Sequence, residues 1–273
     1  MRQLEYGTTP DAMDEYIKIG ENGYFIQYLP KPIAEDIARL YSFHADKHGL
    51  PGMLGSIDCM HWEWKNCHVA WQGQYTRGDQ KGPSVMLEAV ASQDLWIGMH
   101  SLTIKNGTAP PSPVDVNGHH YERGYYLGDG IYPDWVMLVK APHNPTDEMR
   151  KKFKRFQESA RKDIERAFGV LQGRFAMLKT PARSLDFDKN RRHMYCCIVL
   201  HNMIQEDHGF SIGRKEEKMI RRNPPRRLYR NLRDRDAIVK EIRYRQIQNQ
   251  LEADLTEHVW NLSPYFRTAN NNE

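Results

Sequence analysis

"GMLGSIDCMHWEWKN" (residues 52–66) sets the reading of the chain. It is apolar up to Asp58 and then turns to Cys59, His61, Trp62 and Trp64. Met53–Cys59 reads as a buried strand with a carboxylate at its end. A buried, unpaired carboxylate is costly to keep charged unless something binds it. The residues from Asp58 to Trp64 continue in strand fashion, sending alternate side chains to opposite faces.

The pattern on either side fills out an α/β chain. Residues 9–20 read as a short helix capped by Thr9 and ended by Gly20, and residues 32–48 as a second one with Ile33, Ile37 and Leu40 at helical spacing. Strands are expected at 83–92, 95–104 and 136–142, with a hairpin turn at Asn117-Gly118 and a strand in "GYYLGD" ending at Asp129. From about Pro145 the period changes. Phe153, Phe156, Ala160, Ile164, Phe168, Leu171 and Phe175 form one stripe of a long helix, followed by a helix at 189–207 and another near 234–258. Strand candidates followed by long helices predict an α/β fold with a mixed sheet.

At 273 residues the chain can bury a real core. No apolar run approaches the length needed to span a bilayer, and four cysteines do not make a disulfide scaffold. The net charge of +4 hides an asymmetry: residues 211–245 hold thirteen Lys/Arg against five Asp/Glu, a local +8 that leaves −4 elsewhere. Such a segment suits a polyanion partner or a nuclear import signal, and equally a solvated charged face.

Three carboxylates stand out. Asp58 and Asp129 end strands, where open α/β sheets take their ligands, and glycines flank Asp129. Glu165 lies one residue past Ile164, at the edge of the apolar stripe, with Arg161 one turn away. Converging carboxylates repel unless a cation joins them, and hard divalent ions would both resolve the repulsion and support phosphoryl transfer. From the residues alone a bland reading stays open, because strand-end acids also cap turns and helical glutamates usually face solvent.

The segments "GMLGSIDCMHWEWKNC", "VMLEAVASQDLWI", "GYYLGDGIYP", "ESARKDIERAFGVLQGRFAML" and "YCCIVLHNMIQED" resemble, in the same order, the plant transposon proteins of the PIF/Harbinger superfamily. These are DDE transposases and their domesticated relatives, and the resemblance covers about residues 2–21 and 31–210. It implies an RNase H-like mixed sheet with flanking helices, and a triad at Asp58, Asp129 and Glu165, with 35 residues between the last two. It further implies Mg²⁺- or Mn²⁺-dependent hydrolysis and strand transfer on DNA in the nucleus. Arg161 and Lys162 are weaker candidates for phosphate contacts. A Myb-like DNA-binding partner is implied too.

Two departures accompany the resemblance. "DLWIGMHSLTIKNGTAPPSPVDVNG" omits the crossover helix between the third and fourth strands, so exposed apolar surface, or a partner covering it, is expected there. The front is shortened as well, leaving residues 1–50 as a remnant of a helix-turn-helix-like region before a catalytic core at 51–210 and a basic tail at 211–273. The competing functional reading is a catalytically silent, domesticated protein acting as a nuclear DNA- or protein-binding module.

Other signals read as structural. Cys59, His61, Cys67 and His68 have no usual zinc spacing. Trp62, Trp64 and Trp71 suit base stacking but fit a core better. Cys196, Cys197 and His201 are expected in the core. Arg161, Lys162 and Arg166 have an alternative role as solvent-facing partners of Glu158 and Asp163.

Overall fold

The structure, a computed structural model, describes residues 28–29, 32–98, 112–133, 137–209 and 245–262. The helix expected at 9–20 and nearly all of the basic segment 211–245 lie outside them. Among the described residues the first helix is α1 (Ala34–His48), whose opening Ile33 N–H is taken by Asp36 and whose end is turned by Gly49 at φ 64°. Strand β1 (Met53–Glu63) follows, then α2 (Val69–Tyr75), β2 (Ser84–Ala91) and β3 (Ile97–Gly98). The hairpin β4 (Val114–Val116) and β5 (His119–Tyr121) precedes β6 (Tyr125–Gly128) and β7 (Leu138–Lys140). Helices α3 (Glu148–Arg174), α4 (Phe187–Asp207) and α5 (Arg245–Asn261) are the remaining helices of the described residues, with a 3₁₀ turn at Ala176–Lys179.

Five strands form one mixed sheet in the order β3-β2-β1-β6-β7. Strands β2 and β3 are antiparallel, while β6 is parallel to both β1 and β7. This helix-flanked α/β arrangement fits the expected RNase H-like core. Strand β1 is longer than its apolar opening suggests. Past Asp58 the alternation of buried Met60, Trp62 and Trp64 with more open His61 and Glu63 keeps it extended. Asp58 therefore sits within the strand, two residues beyond its last pairing with β6, rather than at its end.

The chain divides into two compact units, with the cuts falling inside β1 and α3. One covers described residues 28–29, 58–98 and 164–209. Its core sets Trp62, Trp64, Val85 and Leu87 against Ile164, Phe168, Leu171 and Ile198. The Trp62 and Trp64 indoles donate to the Thr180 and Ser184 carbonyls, so both rings bury fully while their N–H groups stay satisfied. Asn202 of α4 accepts from the Ile97 N–H and donates to the Ile97 carbonyl, occupying backbone groups of the edge strand β3. His201 is a core residue, with Nε2–H donating to the Leu95 carbonyl and Nδ1 accepting from Arg174.

The other unit covers described residues 32–57, 112–133, 137–163 and 245–262. Asn117 and Gly118 both take positive φ, 50° and 86°, which is the two-residue hairpin turn their sequence predicts. Among the described residues between β3 and β6 there is this hairpin and no helix. The bare apolar surface expected beside the missing crossover is not found on β6, whose four residues are all buried. Helix α5 supplies cover: Leu251, Leu255 and Val259 pack with Val116, Leu127, Val139 and Phe153. Polar contacts pin it there, with Tyr121 donating to Asp254, Asn117 to Glu257 and Gln248 to the Leu138 carbonyl. Leu255 is fully buried, so Leu255→Ala is expected to cost about 2–5 kcal/mol. A urea melt showing no loss would mean that α5 is not part of this core.

Candidate active site

Helix α3 positions the site. Asp147 starts it by accepting the Arg150 N–H, and its buried row of Phe153, Ala160, Ile164 and Leu171 fixes which way the helix faces. Deeper contacts lock its height. Ser56 of β1 donates to the Ala160 carbonyl at 3.2 Å, and His48 of α1 meets Asp163 at 2.8 Å with both side chains fully buried. Asp163 is thus no solvent-facing partner for the neighbouring cations, as one reading of the sequence had it. It sits one residue before Ile164 and shares the inward face.

Gln157, Arg161 and Glu165 form an i, i+4, i+8 row along α3. Gln157 is buried and donates to the carbonyls of Gly128 (3.1 Å) and Val139 (3.3 Å), tying the helix to the ends of β6 and β7. One turn on, the Arg161 guanidinium stands 3.5 Å from Asp129 Oδ2. Sequence reasoning passed over Gln157 because a glutamine in a charged helix reads as surface. Its one signal was its spacing, one turn from Arg161 and two from Glu165.

Asp129 follows directly on β6. Its Oδ1 accepts the Gly130 N–H at 2.6 Å, leaving Oδ2 toward Arg161. The glycine before it serves packing rather than a ligand: a Cβ on Gly128 would lie 2.7 Å from Leu138 of β7. Gly130 faces open space. Asp58 is half-buried and holds itself in the same manner, Oδ1 accepting the Cys59 N–H at 2.7 Å. Ser56 pairs in parallel register with Leu127, so Asp58 and Asp129 each lie two residues beyond a member of that pair. Glu165 and Lys162 are exposed.

The structure therefore joins Asp129 with Arg161. Asp58 stands on β1 and Glu165 on α3. A set of three carboxylates with no sulfur or imidazole suits a hard, oxygen-preferring ion such as Mg²⁺ or Mn²⁺. Among the described residues, no three His, Cys, Asp or Glu side chains already stand close enough to grip an ion. The residues weighed for zinc have other partners: His61 meets Ser84, His68 caps α2, and the Cys67 thiol points to the His68 carbonyl. Trp71 departs from expectation, for it is 45% exposed whereas Trp62 and Trp64 are core.

A family profile described as plant transposon protein matches residues 26–105 and 99–211. Two curated relatives are named "Putative nuclease HARBI1". The Bos taurus protein is 22% identical over 204 residues, and the Homo sapiens protein 21% over the same length. Each alignment takes in 71% of this chain but only 58% of the relative's length. No solved structure matches the chain. With the profile spanning well over half of its residues in the order read from the motifs, the chain belongs to the plant transposon protein family.

Proposed function

We propose that the protein is a transposase-derived, divalent-metal-dependent DNA nuclease, acting through Asp58, Asp129 and Glu165. The observation that carries this reading is the parallel register of β1 and β6. In sequence, Asp58 and Asp129 each lie two residues beyond the paired Ser56 and Leu127. The buried anchors of α3, Gln157 and Asp163, support it by fixing the helix that carries the third acid. The name of the two relatives, "Putative nuclease HARBI1", agrees with it.

Asp58, Asp129 and Glu165 would hold Mg²⁺ or Mn²⁺. Bound there, the ions would lower the pKa of an attacking water or 3′-hydroxyl and stabilise the leaving oxygen. The Arg161 guanidinium stands 3.5 Å from Asp129, giving this carboxylate a cation beside it before an ion loads. Arg161 and Lys162 are also the candidates for phosphate contacts. The hydrogen bonds from Cys59 N–H and Gly130 N–H fix one oxygen of each aspartate and orient the other. DNA is the substrate in this reading, a Myb-like partner supplies end recognition, and the basic segment 211–245 directs the chain to the nucleus.

One observation favours the competing reading, a silent nuclear binding module. Asp129 already has a cation partner in Arg161. Nicking of supercoiled plasmid separates the two. The nuclease reading expects conversion to open circles in Mn²⁺ or Mg²⁺ and none in EDTA. DNA binding without nicking in any divalent ion would establish the silent module instead.

A further inference from the structure

Helix α2 has no buried residue, although it follows directly on the buried strand β1. Val69 is 79% and Trp71 45% exposed. The Trp71 ring is nonetheless held in place, 6.4 Å from the Trp64 ring and 5.8 Å from His68. Tyr75 stands edge-on to Trp64 and packs at 4.9 Å on Phe187. The segment before α4 is zipped alongside: the Lys65 N–H donates to the Ala182 carbonyl and the Asn66 amide to the Arg183 carbonyl. One surface of the first unit thus carries a supported, half-open indole.

Its charge is positive. Residues 64–81 hold Lys65, Arg77 and Lys81 against Asp79 alone, and residues 179–195 hold five Lys/Arg against two Asp. Lys65 and Arg183, beside the seam, are both exposed. Protein-docking patches are depleted in lysine at their centres. A cationic surface with a free aromatic face instead matches the combination that binds unpaired nucleic acid: cations follow the backbone, and the ring takes a base. A duplex keeps its base faces stacked inside and offers this ring little.

We propose that α2 and the adjoining segment 182–187 form a binding surface for single-stranded DNA, with Trp71 as the stacking platform and Lys65 and Arg183 as phosphate contacts. The proposal rests on the nucleic-acid reading above but not on the metal chemistry. Such a surface would hold the unpaired strand released when a transposon end is opened.

The test is fluorescence anisotropy with a labelled oligo(dT) in EDTA, where no cleavage competes. Trp71→Ala is expected to weaken binding about tenfold, with Trp71→Phe retaining most of it. Lys65→Ala is expected to lower the log–log salt slope by about 0.7. Trp71 is half-exposed, so the variants should keep the wild-type melting curve, which circular dichroism verifies. Equal oligo(dT) binding by wild type and Trp71→Ala overturns the proposal, as does an equal loss on a duplex of the same length. Self-association that disappears in Trp71→Ala, without oligonucleotide binding, would make the surface a protein contact and likewise overturn it. Nicking is scored separately, so loss of nuclease activity with binding intact strikes only the catalytic reading.

Discussion

Asp129→Asn is expected to lower Mn²⁺-dependent plasmid nicking by about a thousandfold or more while leaving the fold intact. Each factor of ten in rate corresponds to about 1.4 kcal/mol of barrier, and a metal's stabilisation of transition-state charge amounts to several kcal/mol. Asparagine has the shape of aspartate, and its carbonyl oxygen can still accept the Gly130 N–H now taken by Oδ1. Asp129 is nearly half exposed and lies outside both hydrophobic clusters, so no core contact changes. The effect should therefore appear in activity and ion binding, not in melting. Calorimetric titration with Mn²⁺ gives the parallel readout: binding in wild type that vanishes in the variant. Nicking within tenfold of wild type would remove Asp129 from the machinery, and the silent module would then stand.

Much of the scaffold was legible because its signals are local. The Asn117-Gly118 turn demands positive φ whatever surrounds it, and the stripe from Phe153 to Leu171 demands one buried helix face. Tertiary partners decided the remainder. The inward face of α1 is carried not by the run Ile33, Ile37 and Leu40 but by Ile37 with His44 and His48. Histidine is polar in any pattern count, and only Met53 and Asp163, brought from elsewhere in the chain, let these two bury. The role of α5 was equally hidden. Its apolar residues look like an isolated tail until they are seen packed with Val116, Leu127, Val139 and Phe153.

The candidate site divides along the same line. Asp58, Asp129 and Glu165 could be singled out from motif and position, but Gln157 and the Asp129–Arg161 pair could not, since both depend on where α3 lies against the strand ends. The two aspartates also share a device invisible in sequence. Each is oriented by the amide of the residue that follows it, at 2.6–2.7 Å. That arrangement leaves one oxygen of each carboxylate for another partner.

The protein is expected to lose stability steeply between pH 6.5 and 5, before most carboxylates titrate. Burial lowers the pKa of both His44 and His201 to about 4, outweighing in each case the backbone carbonyl that the ring meets. The geometry agrees. His44 Nδ1 donates to the Met53 carbonyl, and its buried Nε2 has no partner, so a second proton there would find no acceptor. His201 Nδ1 faces the Arg174 guanidinium, which repels a proton outright. In the unfolded chain both rings titrate near pH 6.5, so below that pH the unfolded state takes up protons that the native state refuses. Stability is then fully present above pH 6.5 and falls as the pH drops toward 4, by about 1.4 kcal/mol per unit for each ring. Over the whole window each histidine removes roughly 3 kcal/mol, a large part of the 5–15 kcal/mol typical of folded domains. Urea midpoints at pH 7, 6 and 5 measure the slope. His201→Gln provides the control, because an amide can still donate to Leu95 and accept from Arg174 yet takes no proton. It should remove about half the slope, whereas a midpoint independent of pH, or an unchanged slope in the variant, would show that these rings are not held neutral in the core.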